Sequence, residues 1–182
     1  MKRSIDFLIA SLALLLLALP LAVLGWLIRR KLGGPVLFSQ LRPGMHGKPF
    51  TMVKLRTMTD DRGPDGSLLP DAQRLTPFGL FLRATSLDEL PGLWNVLRGD
   101  MSLVGPRPDV PAQRPLYSAT DWSQRCSVRP GITGLAQARL RSEASPAQRL
   151  ALDLQYTREQ SLALDLRIMV WTLSRLSGKG SN

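Results

Sequence analysis

An α+β fold in which helix predominates is what the sequence predicts. Three stretches predict it: an uncharged apolar run near the N-terminus, two short strand-like runs separated by turn residues, and helical apolar spacing in the last third. The chain has 182 residues, a formal net charge of +10, one cysteine (Cys126) and one histidine (His46). That length suits one compact domain after the apolar run. The basic excess calls for an anionic partner: nucleic acid, an anionic membrane surface or a phosphorylated substrate. One cysteine excludes an internal disulfide framework and one histidine excludes a histidine-rich metal site; both fit a reducing, cytosol-facing location.

Residues 7–28 form the apolar run, 22 residues without a charge, long enough to cross the roughly 30 Å hydrocarbon core as a helix. No small-x-small site followed by polar sequence closes it, which argues against a cleaved signal peptide. Lys2 and Arg3 flank one end and Arg29, Arg30 and Lys31 the other, so both ends prefer the cytoplasm. Pro20, after Leu19, removes a backbone hydrogen bond and should bend the helix. The arm before it is only about 20 Å long, too short to cross alone. A helix that enters, breaks at Leu19-Pro20 and returns to the same face satisfies charges and kink together. A kinked spanning helix is the alternative. The chain thus divides into a membrane segment, 1–32, and a domain, 33–182.

Gly33-Gly34-Pro35 ends the apolar helix. Residues 36–40 and 50–55 read as strands of a small hairpin around the turn-rich RPGMHGKPF. Residues 59–70 form a polar loop whose Asp60 and Asp61 suit a metal or, more simply, a solvated face. Residues 71–83 read as one helix. Ser86 and Glu89 make the S-x-x-E pattern of a capping box at the start of the next. That accounts for Glu89 but not for Asp88, which the first-turn macrodipole would keep ionised. Residues 146–160 read as a helix, and residue 161 opens another. Leu162, Leu166, Met169, Val170 and Leu173 line its apolar stripe beside Arg167, Trp171 and Arg175, a pattern for core packing or for an amphipathic interfacial helix.

The chemistry concentrates in SLDELPGLWNVLRGDMSLVGPRP. Asp88 and Glu89 are adjacent carboxylates in a very basic chain, with Arg83 before them and Arg107 after, a place to hold an anion against a nucleophile. Arg107 lies between two prolines, Arg129 opens RPGITG and Arg42 opens RPG. Taken singly, each is a surface arginine near a turn. Together they are pre-positioned guanidinium groups, which bind phosphate oxygens in bidentate fashion. Such a cluster suits a diphosphate better than a nucleic-acid backbone, and the basic residues lack the interleaved aromatics of single-strand binders.

With these residues in place the chain resembles the bacterial sugar transferase family, the monotopic phosphoglycosyl transferases that begin lipid-linked glycan assembly, in its minimal catalytic form. FSQLRPGMHGKPFTMVKLRTM, LRATSLDELPGLWNVLRGDMSLVGPRP and VRPGITGLAQ carry the resemblance. It implies that Asp88 attacks the sugar-bearing phosphorus of a UDP-sugar, releasing UMP and leaving an aspartyl phosphosugar. Glu89 would orient the site or take a proton from the acceptor, a polyprenyl (undecaprenyl) phosphate. The resemblance also implies a Mg²⁺ near Asp88. Phosphate contacts would come from Lys54, Arg83, Arg107 and Arg129, with Arg56 and Arg42 beside them. It favours a re-entrant helix at the cytoplasmic face of the bacterial inner membrane, among its lipids, with no nucleic acid as partner. Similar proteins place Ser before the kink proline where this chain has Leu19. A membrane-tethered basic adaptor for acidic lipid or nucleic acid, without chemistry, is the reading from another class. A nucleotide-fold glycosyltransferase lacks its Gly-rich loop and D-x-D site.

Overall fold

A computed structural model describes residues 1–140 and 145–176 of the chain, so parts of the expected 33–182 domain, residues 141–144 and 177–182, lie outside the described residues. Helix α1, Lys2–Lys31, contains Pro20 within it. Helical structure runs through Leu19-Pro20, where the helix-break-helix expected over 1–32 has its break. Proline removes only its own bond to the carbonyl four residues back, and the ladder resumes on either side. Much of α1 faces outward: Leu12, Leu15, Leu16 and Leu19 are exposed, and the helix is long and apolar enough to cross a membrane.

Both ends of α1 are nevertheless fastened to the domain. At the N-terminal end, Lys2 Nζ donates to Asp165 Oδ2 at 2.6 Å and to the Val104 carbonyl at 3.2 Å. Arg3 donates to the carbonyls of Val96 and Leu97. Buried Asp6 accepts from Ser102 Oγ at 2.8 Å and from the Leu103 N–H at 3.2 Å. Ala10 then packs with Phe50, Met52, Leu93, Val96 and Met101. At the C-terminal end, Ile28 and Leu32 are buried against Leu55 and Leu82.

The expected hairpin forms from β1, Leu37–Pro43, and β2, Pro49–Leu55, antiparallel with Leu37 opposite Leu55 and Pro43 opposite Pro49. The predicted single helix over 71–83 is two: α2, Asp71–Arg74, and α3, Pro77–Ala84. Pro77 pushes Thr76 into extended backbone, and the Thr76 hydroxyl then accepts from the Gly79 N–H at 3.1 Å as an N-cap. Gly79 has no room for a side chain, since a Cβ there would lie 1.8 Å from the Thr57 carbonyl oxygen. This close approach seats α3 on the chain leaving β2.

Leu87–Glu89 is a 3₁₀ turn, and the capping box does not form. Ser86 sits at φ +56°, in the left-handed region, and its side chain caps nothing. Helix α4, Gly92–Arg98, starts after Pro91 and packs on α1. Strands β3, Ser102–Val104, and β4, Gly131–Thr133, which pair in parallel, were not foreseen, nor were two short helices, α5, Ala119–Arg125, and α6, Leu135–Arg139. Beyond them lie α7, Pro146–Glu159, and α8, Leu162–Leu176. Helix α7 carries a reciprocal capping box between Ser145 and Gln148.

The apolar stripe expected on α8 does not enter the core as a unit. Ile168 is buried with Val104, Leu135 and Tyr156, and Met169 packs at the edge. Leu166, Val170 and Leu173 face outward. Arg175 donates to the carbonyls of Gln137, Arg139 and Leu140, closing the end of α6 instead of pointing outward.

Candidate active site

The 3₁₀ turn, the hairpin and the loop after β3 converge on a cavity of about 530 Å³. Asp88 and Glu89 form one wall, and Lys54 of β2 and Arg107 of the loop another. Arg42, Arg56 and Arg83 complete a cationic lining. Seven of the expected cations and carboxylates thereby meet across residues that are far apart in the chain.

The two carboxylates have opposite circumstances. Glu89 Oε1 accepts from Lys54 Nζ at 2.7 Å. Arg107 grips both Glu89 oxygens, with Nη1 3.1 Å from Oε2 and Nη2 on Oε1, a bidentate fork. Burial would push the Glu89 pKa up, but the hydrogen bonds and charges of Arg107 and Lys54 outweigh it and hold the carboxyl at about 2. The Asp88 carboxylate takes no hydrogen bond from another described side chain and is only 8% exposed. Burial, then the charge of Glu89, raises its pKa above the ordinary aspartate value, against the pull of Lys54 and Arg107. The expected macrodipole effect does not decide this group: the turn is too short, and burial dominates.

The remaining cations are tethered, each with donors to spare. Arg42 donates to the Pro108 carbonyl at 3.0 Å and to Gln40 Oε1 at 2.7 Å, leaving its buried Nε without a partner. Arg56 pairs with Asp60 at 2.7 Å, which engages one of the two loop aspartates that suited a metal. Arg83 Nε donates to Thr57 Oγ1 at 3.0 Å.

Arg129 is not brought to this cavity. Its Nε donates to the Gly99 carbonyl at 2.9 Å, at the C-terminal end of α4, where the helix dipole favours a cation. The lining of this cavity therefore lends no support to the phosphate contact expected of Arg129. Its loop instead supplies the close backbone contact beneath Arg107: a Cβ on Gly105 would fall 2.3 Å from the Arg129 carbonyl oxygen.

Two residues escaped the sequence reading. Arg74 lines the cavity, bonded to Asp71 Oδ1 at 2.7 Å and with its buried Nε unpartnered; nothing local distinguished it from a surface helix arginine. Arg125, on α5, is 6% exposed and lies behind the Arg107 loop. Its Nε donates to Asp153 Oδ2 at 2.9 Å and its Nη2 to the Arg107 carbonyl at 2.6 Å. Its Nη1 lies 2.8 Å from Asp109 Oδ2, a charge contact without hydrogen-bond geometry. No sequence spacing announces it, because its partners come from two separate segments, the Arg107–Asp109 loop and α7.

Among the described residues no group of three His, Cys, Asp or Glu side chains could hold a metal. The Asp88 carboxylate, free of competing side-chain donors and facing a cationic cavity, fits a different arrangement. A Mg²⁺ keeps several waters and binds through one or two carboxylates plus substrate phosphates, so a single carboxylate is an adequate protein share.

Comparison with known proteins bears on the same residues. The chain matches the family described as bacterial sugar transferase over residues 1–179. It is 50% identical over 149 residues to the sugar transferase EpsL of Bacillus subtilis, covering 82% of this chain and 73% of that protein. It is 44% identical over 187 residues to the UDP-glucose:undecaprenyl-phosphate glucose-1-phosphate transferase of Caulobacter vibrioides, covering 96% of this chain and 69% of that one. The Escherichia coli protein of the same name is 39% identical over 183 residues, and the chain spans 39% of its length. A match over nearly the whole chain, on a hairpin and acidic turn that enclose one cationic cavity, places this protein in the bacterial sugar transferase family.

Proposed function

We propose that this sugar transferase moves a phosphosugar from a UDP-sugar to a polyprenyl phosphate, with Asp88 as nucleophile. An Asp88 Oδ forms a bond to the sugar-bearing phosphorus, the phosphoanhydride P–O bond breaks, and UMP leaves with the bonding electrons. A phosphate oxygen of the polyprenyl phosphate then attacks the same phosphorus, the Asp88–phosphorus bond breaks, and the carboxylate returns with a polyprenyl diphosphate sugar as product. The observation that carries the reading is the division of labour in the acidic pair: Glu89 is saturated by two cations while Asp88 faces the cavity without a side-chain hydrogen bond.

Two roles were open for Glu89, and its environment favours one. A carboxyl held at about 2 is a poor proton acceptor near neutral pH. A phosphate monoester is already largely dianionic there, with its second pKa near 6, so its attack needs no base. Glu89 instead orients Lys54 and Arg107, whose remaining donors face the cavity where phosphate charge must be held. A Mg²⁺ shared by Asp88 and the substrate diphosphate would offset the charge of two approaching anions and polarise the phosphorus.

The attachment of α1 supports a position on one membrane face. Lys2, Arg3 and Asp6 fasten its start to the domain and Ile28 its end. A helix with both ends on one soluble body does not cross. The acceptor's phosphate lies at the headgroup layer, so a cavity whose wall residue Leu55 packs on the end of α1 would meet it there, at the cytoplasmic side of the inner membrane. The test is Asp88→Asn in protein incubated with UDP-glucose and other UDP-sugars. UMP release should fall by about 10⁴-fold or more with membrane attachment intact, and undiminished release rejects the nucleophile.

A further inference from the structure

Behind the Arg107 loop lies a second and larger cavity, about 770 Å³, which shares Arg42 and Arg107 with the first. We propose that it receives the uridine of the donor, with Gln137 of α6 reading the uracil edge. This rests on the reading of Asp88 as the group that attacks a UDP-sugar.

Placement argues first. The first cavity includes Leu55, which packs on Ile28 of α1, so it is the nearer of the two to the membrane helix along which a lipid-borne acceptor arrives. The second is walled by α5, α6, α7 and the segment before α5; no residue of α1 lines either cavity, but none of the second cavity's residues belongs to the cluster that holds Ile28. A diphosphate held at Arg42 and Arg107 therefore has one neighbour space nearer the membrane helix and one farther from it. The water-soluble end of the donor belongs in the latter.

Chemistry chooses which soluble end. The walls present Leu116, Leu140, Leu150 and the Tyr117 ring, with Arg149 on α7, Asp109 beside Arg107 and the Arg125–Asp153 pair as the charged members besides the shared Arg42 and Arg107. A hexose presents hydroxyls in every direction and needs polar partners all round. A pyrimidine is flat and apolar on its faces, with hydrogen-bonding groups on one edge only, which suits apolar walls and one polar contact. Gln137 supplies that contact. Its Nε2 and Oε1 are both shielded from water and neither has a partner, an arrangement that costs free energy until something completes it. Turned into the cavity it already lines, the amide matches uracil: Oε1 accepts from N3–H while Nε2 donates to O4.

The experiment uses UMP as probe, with equilibrium binding to the full chain purified in detergent and glucose 1-phosphate measured in parallel. Two variants are compared with the parent: Gln137→Leu, which removes the paired hydrogen bonds, and Ala147→Trp, an exposed α7 position at the cavity wall that narrows it without touching the core. Each should weaken UMP about tenfold and leave glucose 1-phosphate unchanged. Should Gln137→Leu misfold, Ala147→Trp alone gives the answer. Unchanged UMP affinity in a parent chain that releases UMP from UDP-sugars overturns the subsite and leaves the nucleophile standing. Weakening confined to glucose 1-phosphate assigns the cavity to the sugar and also overturns it. A parent chain that neither binds nor releases UMP sinks both readings.

Discussion

Arg125→Ala is the substitution that best separates the scaffold of the site from its chemistry. The side chain is 6% exposed, and its partners Asp153 and Asp109 are 7% and 13% exposed. Removing it leaves two carboxylates in a desolvated pocket without their cation, and breaking a buried pair in this way costs about 3–5 kcal/mol. Whole domains have only about 5–15 kcal/mol to lose. At about 2–4 °C per kcal/mol for a chain of this size, the melting temperature should fall by about 6–20 °C. Activity should fall as well, because the Arg107 carbonyl loses the donor that sits 2.6 Å away. Arg107 carries the fork on Glu89, and misplacement of such a group by about 1 Å costs on the order of 100-fold. The assay pairs thermal unfolding in detergent with UMP release, using Arg158→Ala as an exposed control on α7. The double variant Arg125→Ala/Asp153→Ala should be more stable than the two single effects added together. An Arg125→Ala protein that melts and turns over like the control refutes the assignment of a buried strut.

Two further outcomes follow from the same geometry. Asp88 attacks as a carboxylate, so activity is lost as pH falls through its pKa, which burial and Glu89 raise while Lys54 and Arg107 oppose. Lys54→Gln removes one opposing charge and should move the acid limb of kcat/KM for UMP release to higher pH; Glu89→Gln should move it lower, and shifts of the opposite sign contradict the assignment. For topology, single cysteines at Ser4 and Arg30, placed in a Cys126→Ser chain, should both react with a membrane-impermeant thiol reagent from the cytoplasmic side alone; labelling of either from the periplasm excludes attachment at one face.

What the sequence made legible is what is local. The apolar helix, the hairpin and helices α7 and α8 announce themselves by run length, alternation and capping residues within a few positions of each other. The Thr76-Pro77 break was also written locally, in a residue before proline that favours extended backbone, but an apolar pattern on either side concealed it. Strands β3 and β4 have three residues each, too few to show a period, and their pairing is non-local. The S-x-x-E pattern misled because Glu89 has stronger partners than a backbone N–H: two full charges from β2 and the Arg107 loop. The Pro- and Gly-flanked signature made Arg42 and Arg107 of the cationic cluster legible locally, Arg83 stood out beside the acidic pair, and Lys54 and Arg56 came from the family resemblance. The same signature placed Arg129 with them, though its side chain turns to the end of α4. Arg74 and Arg125 carry no such mark, and only packing reveals that one lines the cavity and the other braces it.

The most direct test of the account is to quench the protein during incubation with UDP-sugar alone, digest it, and weigh the peptide that contains Asp88. The account predicts a phosphosugar on that side chain, lost when polyprenyl phosphate is added before the quench. UMP release with the Asp88 peptide unmodified at every time point would contradict it.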